Sequence, residues 1–387
     1  MKSMKYTLAV ACTVAAVLLL CSFPAVAVDR DAIADVVRQS ATVATAVPGV
    51  HTFAAPPKGF DPVSASDEDI ARYGFPVRPD VSDPHYKQWA RAVSHMQNRP
   101  DPMKIHAMPF SSAPMRPAKA TAGSSAAISA TQTTTTSSNW SGVAAVNSLT
   151  SYNQSKSFFF VNSDLGTPVA EEAFTGPDSF TCDGLYDIEV SWNGIDGFNT
   201  GDVIQGGTLS QVFCSGGSPS KFYCDWIEWY PSYSVICVID PPTPGDEVFV
   251  QSQNYGGFNE QVVCVIDETL DLGGCYGLTY ASGPGAVGNS AEWIVERPCC
   301  EDGFLFPLAN YVSTYNLSAA AYGYGKKKYP LKAYPGGSSS ATQTYYNIEM
   351  LDDQGAEISY VDPGEVDGRY GIAFFDTGCA YSGGCTF

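Results

Sequence analysis

Histidine is absent from the last two-thirds of this 387-residue chain. All four histidines lie before residue 130, at His51, His85, His95 and His106. A domain without histidine cannot use a Ser-His-Asp or Cys-His mechanism, and it cannot build a histidine-ligated zinc site. Paired C-x-x-C knuckles are also missing, so a cysteine-ligated zinc site is not expected. We therefore expect neither a metal nor a cofactor.

Basic residues are scarce in the same part of the chain. From Thr131 onward there are 8 lysines and arginines against 30 aspartates and glutamates, a formal net charge of −22. A surface this negative repels nucleic acid and anionic membranes, so neither is an expected partner. Protonation of carboxylates near about pH 3 to 4 relieves the self-repulsion. We therefore expect a domain that is stable in acid and less stable at neutral pH.

The only long apolar run is at the N-terminus. Residues 1–27 combine a basic start, an apolar stretch over residues 8–20 and the small-residue motif Ala25-Val26-Ala27. This arrangement is typical of a secretory signal peptide. No later segment has the roughly 18 continuous apolar residues of a membrane span. The sequence therefore predicts a secreted protein that has no membrane contact after signal cleavage.

Cysteine is plentiful and even in number beyond the signal. Ten cysteines follow residue 27: Cys182, Cys214, Cys224, Cys237, Cys264, Cys275, Cys299, Cys300, Cys379 and Cys385. An even number in an exported chain predicts disulfides, although the spacing does not fix their pairing. Cys299 and Cys300 are adjacent, and we expect them to bond to different partners.

Residues 28–131 do not resemble a catalytic domain. They are rich in Pro, Ala and mixed charge, with helix candidates at 30–43 and 86–96, and they end in an Ala-, Ser- and Thr-rich stretch suited to cleavage. We interpret this segment as an inhibitory propeptide whose basic groups pair with the acidic domain and whose histidines titrate as the medium acidifies. The alternative is a disordered spacer.

Residues 132–387 have the pattern of an all-β domain. Short runs rich in Val, Ile, Tyr, Phe and Trp alternate with Gly, Pro, Asn and Asp, and no helical periodicity is sustained. This pattern predicts a single antiparallel β-sandwich of two packed curved sheets, as in lectins and glucanases. The candidate strands are 157–161, 186–193, 203–213, 222–230, 234–239, 247–253, 261–267, 276–280, 291–296, 310–315, 343–350 and 357–361.

Four short blocks combine Trp with polar or acidic residues. They are Asn-Trp-Ser-Gly at 139–142, Trp-Asn-Gly-Ile-Asp-Gly at 192–197, Glu-Trp-Tyr-Pro at 228–231 and Ala-Glu-Trp-Ile-Val-Glu at 291–296. Strand alternation places Trp226, Glu228 and Tyr230 on one face. It likewise places Glu292 and Glu296 on one face of their strand. Acidic groups beside aromatics on a sheet face indicate a site.

In order and spacing, these blocks resemble the glutamic peptidases, or eqolisins, which are secreted, acid-active, pepstatin-insensitive endopeptidases. The resemblance covers residues 139–311 well and the remainder loosely. It implies a monomer that acts on protein or peptide substrates. The residues after Gln205, from Gly206 to Leu209, depart from the family pattern, and this departure concerns the substrate subsites.

The resemblance also implies roles for single residues. Glu292, the first glutamate of its block, is the expected general base that activates a water molecule, and Glu296 fits this role less well. Gln205 is the expected oxyanion donor, because a side-chain amide can donate a hydrogen bond to a developing negative charge. Gln211 is its nearest rival, since it has the same strand parity.

Five further residues form the expected surroundings of this pair. The resemblance implies that Trp192 and Trp226 line the cleft, that Asp196 and Glu228 hold their neighbours by hydrogen bonds, and that Tyr230 supports the site. Each is also compatible with a purely structural role.

Other functions remain open at this point. A glycoside hydrolase on a lectin-like sandwich would use Glu228 and Glu292 as a carboxylate pair about 5 to 9 Å apart, but it leaves Gln205 and the propeptide without a role. A non-catalytic carbohydrate-binding module would be indifferent to loss of Glu292. A pepsin-like peptidase is disfavoured, because Asp-Thr-Gly occurs once, at 376–378.

Overall fold

The computed structural model describes residues 30–118, 132–147, 157–171, 186–215, 218–256, 259–280, 286–299, 304–323, 331–366 and 369–377. The predicted signal peptide at 1–27 and the end of the predicted propeptide at 119–131 lie outside these residues. So do Cys182, Cys300, Cys379 and Cys385.

Three helices and nineteen strands occur in this part of the chain. The helices are α1 (Arg30–Gln39), α2 (Asp67–Arg72) and α3 (Tyr86–His95). The strands are β1 (Thr42–Ala44), β2 (Val50–Phe53), β3 (His106–Ala107), β4 (Thr133–Ser137), β5 (Trp140–Asn147), β6 (Phe158–Gly166), β7 (Tyr186–Ile195), β8 (Val203–Ser215), β9 (Ser218–Tyr230), β10 (Ile236–Ile239), β11 (Glu247–Gln253), β12 (Glu260–Asp267), β13 (Leu272–Thr279), β14 (Ser290–Glu296), β15 (Ser313–Gly323), β16 (Leu331–Ala333), β17 (Gln343–Leu351), β18 (Glu357–Val366) and β19 (Arg369–Asp376).

The strands form two antiparallel layers. The front layer has the order β10-β9-β8-β7-β14-β5-β17, and β4 joins β17 in parallel. The back layer has the order β2-β13-β12-β11-β6-β15-β19-β18. The β17–β18 pairing connects the layers at one edge, and β7 and β8 pack on β11 and β12 between them. The predicted all-β antiparallel sandwich is confirmed.

Alternation along β14 shows how the front layer divides its two faces. Trp293 and Val295 point inward and belong to a core cluster between the layers. Ile294 belongs to a different cluster, which includes Trp140 and Trp192 on the opposite face of the front layer. This outer face therefore carries buried aromatics instead of solvent-exposed residues, and something must cover it.

The cover comes from the N-terminal segment, residues 30–118, whose Met108, Phe110 and Met115 pack in this cluster. Its strand β2 pairs with β13 and its strand β3 with β10, so it extends both layers. Helices α1 and α3 fall within the predicted helical stretches 30–43 and 86–96, whereas α2 was not predicted.

Ion pairs connect this segment to the acidic domain. Arg91 Nη2 lies 2.8 Å from Asp164 Oδ2 and 2.7 Å from Glu247 Oε1, and Arg91 Nε lies 2.7 Å from Glu268 Oε2. Two histidines of the segment also face carboxylates of the domain, at 3.2 Å for His51 and Glu260 and 2.6 Å for His95 and Asp271.

Two disulfides cross-link neighbouring strands. One joins Cys224 on β9 to Cys237 on β10, and the other joins Cys264 on β12 to Cys275 on β13. The prediction of disulfides is confirmed for these four cysteines. None of the helices in the described part of the chain is long and apolar enough to cross a membrane.

Candidate active site

Strands β8 and β9 place an amide and a carboxyl side by side on the outer face. Gln205 and Glu228 are cross-strand partners, and both are fully buried. Gln205 Nε2 donates a hydrogen bond to Glu228 Oε2 over 3.1 Å. Burial raises the pKa of Glu228 well above its usual range, and the nearby Glu296 carboxyl adds to this rise.

Glu296, the last residue of β14, completes the group. Trp192 Nε1 donates to Glu296 Oε2 over 3.1 Å, and Asn139 Nδ2 donates to Glu296 Oε1 over 3.2 Å. Burial raises the pKa of Glu296 to about 8, and hydrogen bonds from Ser112, Ala113, Asn139 and Trp192 oppose the rise. We refer to Gln205, Glu228 and Glu296 as the Gln-Glu-Glu cluster.

Ser112 of the N-terminal segment lies at the centre of this cluster. Its backbone N–H donates to Glu228 Oε2 over 2.9 Å, and its carbonyl oxygen accepts from Gln205 Nε2 over 2.7 Å. Its hydroxyl lies 3.3 Å from Gln205 Oε1 and is hydrogen-bonded to Glu296 Oε2. The next backbone N–H, of Ala113, donates to Glu296 Oε1 over 2.9 Å. All three cluster residues therefore hold one short stretch of backbone.

The cluster combines two complementary chemical groups. The carboxamide of Gln205 can stabilise negative charge on a carbonyl oxygen, because its N–H bonds already point at such an atom. A carboxyl such as that of Glu296 can take up or release a proton. These are the groups that addition of water to an acyl carbon needs.

Aromatic side chains form the wall around the cluster. Trp140 and Trp192 meet edge to face with ring centroids 4.9 Å apart, and Trp226 is buried in the same aromatic cluster. Tyr230 lies two residues beyond Glu228 on the same strand, and it is partly buried against the hydrophobic cluster that contains these tryptophans. Of the predicted surroundings, Glu228 is itself a member of the Gln-Glu-Glu cluster and Trp192 donates to Glu296. Trp226 and Tyr230 pack with Trp192 in the neighbouring hydrophobic cluster.

Glu292 lies on the same face but in a different environment. In register it is level with Gln205, because Glu292 pairs with Gly194 and Gly194 pairs with Gln205. Strand β7 lies between Glu292 and Gln205, as it does between Glu296 and Gln205. No hydrogen bond in the structure joins Glu292 to Gln205 or to Glu228. Burial and then the Asp196 carboxyl raise the pKa of Glu292 well above its usual range.

Asp196 fixes the turn beside Glu292 and does not contact the cluster. Its carboxylate accepts backbone N–H bonds from Val287, Gly288 and Asn289 over 2.8, 2.8 and 2.9 Å. The structure therefore separates the predicted pair: Gln205 is in the cluster, and Glu292 is with Asp196. Glu296, and not Glu292, shares a hydrogen-bonded partner with Gln205.

Sequence reasoning also missed Ser112 and the contact of Asn139 with Glu296. The signal for Glu296 was present, because it shares a strand face with Glu292. The rival Gln211 is six residues beyond Gln205 on β8, about 20 Å along the strand, and pairs with Ile188. Among the residues that the structure describes, no group of three or more His, Cys, Asp or Glu side chains is placed to hold a metal ion.

Comparison with known proteins identifies the family to which the chain belongs. The sequence model of the Peptidase A4 family matches residues 138–360. A solved structure of scytalido-glutamic peptidase with a peptide-based transition-state analogue is similar at 16% identity and a TM-score of 0.42, over 62% of this chain and 98% of that one.

Two other solved structures are similar as well. SCP-B, an eqolisin in complex with the tripeptide Ala-Ile-His, has 15% identity and a TM-score of 0.41, over 62% of this chain and 98% of that one. Aspergilloglutamic peptidase from Aspergillus niger has 20% identity and a TM-score of 0.36, over 49% of this chain and 99% of that one. No curated protein is significantly similar in sequence. Since the family match spans more than half of the chain, the protein belongs to the Peptidase A4 family, the glutamic endopeptidases or eqolisins.

Proposed function

We propose that this protein is a secreted acid endopeptidase that cleaves protein or peptide substrates with Gln205 and Glu296. One observation carries the proposal. Gln205 Nε2 lies 2.7 Å from the Ser112 carbonyl oxygen, while Glu296 Oε1 accepts the N–H of the next residue over 2.9 Å. An oxyanion donor and a proton carrier therefore flank the two ends of a single peptide group.

The mechanism follows from these two contacts. Glu296, as carboxylate, removes a proton from a water molecule that attacks the scissile carbonyl carbon. Gln205 stabilises the oxyanion of the tetrahedral intermediate through its amide N–H. Protonated Glu296 then passes its proton to the leaving amine, and no covalent intermediate forms. Glu228 accepts a hydrogen bond from Gln205 Nε2, which aims the amide at the carbonyl oxygen.

Glu296 is a better candidate for the base than Glu292. It shares a hydrogen-bonded partner, the Ser112 hydroxyl, with Gln205. The indole N–H of Trp192 and the amide of Asn139 fix its orientation. Glu292 has neither relationship, and the neighbouring carboxyl that raises its pKa is that of Asp196.

Activity in acid fits a carboxylate base. The base must be partly ionised at the working pH, which for a solvated glutamate gives an optimum at roughly pH 2 to 5. In this closed form, burial raises the pKa of Glu296 to about 8, while hydrogen bonds from Ser112, Ala113, Asn139 and Trp192 favour its carboxylate. Departure of the segment readmits water and lowers this pKa towards its usual value.

The domain boundaries complete the proposal. Residues 1–27 serve as the signal peptide, residues 28–131 as the propeptide of a zymogen, and residues 132–387 as the catalytic domain, which acts as a monomer. Occupation of the Gln-Glu-Glu cluster by Ser112 supports inhibition by the propeptide, because no substrate can reach the cluster while Ser112 is there. Disulfides support an oxidising, extracellular setting.

The test is protein digestion at about pH 3 to 4 by the acid-activated protein and its Gln205→Ala variant, with pepstatin present. The parent should digest protein and the variant should not, while both keep the same circular dichroism spectrum. Mass spectrometry confirms that the N-terminal segment has been removed from each. Equal activity of the two proteins, or no activity in either, would contradict the proposal.

A further inference from the structure

Residues 108–116 form a segment that has backbone hydrogen-bond partners on both sides. On one side, the Met108 N–H donates to the Val235 carbonyl oxygen over 2.7 Å, and the Val235 N–H donates to Phe110 over 3.0 Å. On the other side, Ser111 and Cys299 exchange two backbone hydrogen bonds of 3.0 and 2.9 Å. Pairing of this kind is how proteins bind extended peptides.

The part of the segment that follows Ser112 is also held by hydrogen bonds from its backbone N–H groups. The Met115 N–H donates to the Gly197 carbonyl oxygen over 3.1 Å, and the Arg116 N–H donates to Asn139 Oδ1 over 2.7 Å. The segment is therefore fixed before and after Ser112, so its register relative to the Gln-Glu-Glu cluster is defined.

At the centre of this register lies the peptide bond between Ser112 and Ala113. Its carbonyl oxygen faces Gln205 Nε2 and its N–H faces Glu296 Oε1. In a hydrolytic cycle the carbonyl oxygen becomes the oxyanion and the nitrogen becomes the leaving amine. The carbonyl oxygen thus lies beside the oxyanion donor, and the nitrogen lies beside the proton carrier. The reaction also needs a water molecule beside the carbonyl carbon.

The Ser112 hydroxyl occupies the place where that water is needed. It is bonded to Glu296 Oε2 and lies 3.3 Å from Gln205 Oε1, the two oxygens that can hold an attacking water. The hydroxyl cannot replace the water in the reaction, because attack on its own carbonyl carbon would close a strained four-membered lactone ring. It therefore excludes water without reacting.

We propose that the bond between Ser112 and Ala113 occupies the position of the scissile bond of a substrate, and that the Ser112 hydroxyl, in the place of the attacking water, keeps this bond intact. The inference rests on the proposed function of the Gln-Glu-Glu cluster. Residue 112 thus decides whether the segment is an inhibitor or a substrate.

Loss of the hydroxyl should convert the inhibitor into a substrate. In a Ser112→Ala protein, one water molecule takes the vacated position and gives a proton to Glu296 while its oxygen bonds to the residue 112 carbonyl carbon. The carbon–nitrogen bond then breaks, and the proton passes to the Ala113 nitrogen. The products are a carboxyl group on residue 112 and a free amine on Ala113.

The experiment uses the full chain from residue 28, purified at neutral pH and shifted to acid. Mass spectrometry follows the appearance of a new N-terminus at Ala113 in the parent, Ser112→Ala and Ser112→Gly proteins. We expect cleavage at this bond to be at least about tenfold faster in both variants than in the parent, at a rate independent of protein concentration. Ser94→Ala, a change at an exposed serine of the same segment, should behave like the parent.

A peptide assay keeps the test independent of the folding of the variants. The activated domain is mixed with a synthetic peptide of residues 108–116 or with the same peptide carrying Ala at position 112. The native peptide should inhibit competitively and stay intact, and the Ala peptide should be cleaved between positions 112 and 113.

Equal resistance of the two peptides, by a domain that digests other proteins, would overturn the inference and leave the proposed function standing. Cleavage of both peptides at another bond would do the same. A domain that digests no protein at all after removal of its N-terminal segment would instead overturn the proposed function, and the inference with it.

Discussion

Gln205 and Glu228 face each other across neighbouring strands, with Gln205 Nε2 bonded to Glu228 Oε2 over 3.1 Å. The same carboxylate oxygen accepts the backbone N–H of Ser112. Glu228 therefore orients the Gln205 amide and also binds the Ser112 backbone, to which that amide donates a hydrogen bond. Both roles position other groups, so we do not expect Glu228 to transfer a proton in the reaction.

Replacement of Glu228 should reveal this role. Glu228→Leu removes the acceptor and should lower kcat by about 10- to 100-fold. Glu228→Gln keeps an amide oxygen that can accept the same hydrogen bonds, and it should restore most of the activity. Steady-state kinetics of both variants check the prediction. Equal loss in the two variants would show that the negative charge of Glu228 matters, and not its position.

The Trp192 indole should tune the ionisation of Glu296. Its Nε1–H donates to Glu296 Oε2 over 3.1 Å and so favours the carboxylate. Trp192→Phe removes this donor, which should raise the pKa of Glu296 and move the acid limb of the pH–activity profile to higher pH. Trp226→Phe is the matched control, because Trp226 is equally buried in the same wall. A profile that moves equally in both variants would contradict the assignment.

Arg91 should hold the N-terminal segment on the domain. It bridges Asp164, Glu247 and Glu268, and although its own side chain is 40% exposed, the Asp164 and Glu268 carboxyls are 0% and 7% exposed. Arg91→Ala should therefore release the segment at higher pH and speed activation on acidification. Arg72→Ala is the control, because the ion pair of Arg72 with Asp69 stays within the segment. Activation followed by gel electrophoresis at stepped pH values compares the two, and identical curves would contradict this role.

Buried Glu189 should make the protein less stable as the pH rises. Burial raises its pKa from 4.5 to about 8, against hydrogen bonds from Ser191 and Ser210. The folded protein therefore keeps a proton that the unfolded chain releases above about pH 4.5. Stability is fully present below that pH and falls up to about pH 8, by at most about 1.4 kcal/mol per pH unit for this group.

Urea unfolding of the parent and Glu189→Gln proteins at several pH values between 4 and 8 measures this effect. The variant has no proton to lose at this position, so its stability should fall less steeply with pH. A parent whose stability rises from pH 4 to pH 8 would contradict both this prediction and the expectation of an acid-stable domain.

Much of the fold could be predicted from local pattern. The predicted strand 247–253 matches β11, and β8, β12, β14 and β17 differ from their predicted bounds by at most two residues. Strand β5 was missed because Gly142 and two alanines replace the branched and aromatic residues that mark a strand. Its pairing with β14 and β17, and not its own composition, makes it a strand.

The site could be predicted only in part. Alternation placed Glu292 and Glu296 on one face, but it could not say which of them shares a partner with Gln205, since that depends on where Ser112 of the N-terminal segment packs. Ser112 could not be predicted as part of the site, for another reason. It lies 93 residues before Gln205 in an irregular segment, and only the packing of that segment on the domain brings them together.

The choice between the two glutamates is the central claim, and one comparison tests it. Glu296→Gln and Glu292→Gln are isosteric changes at fully buried positions of one strand, so their effects on packing are matched. Pepstatin-resistant protein digestion at acid pH should be abolished in Glu296→Gln and should persist in Glu292→Gln. An active Glu296→Gln protein beside an inactive Glu292→Gln protein would contradict the account.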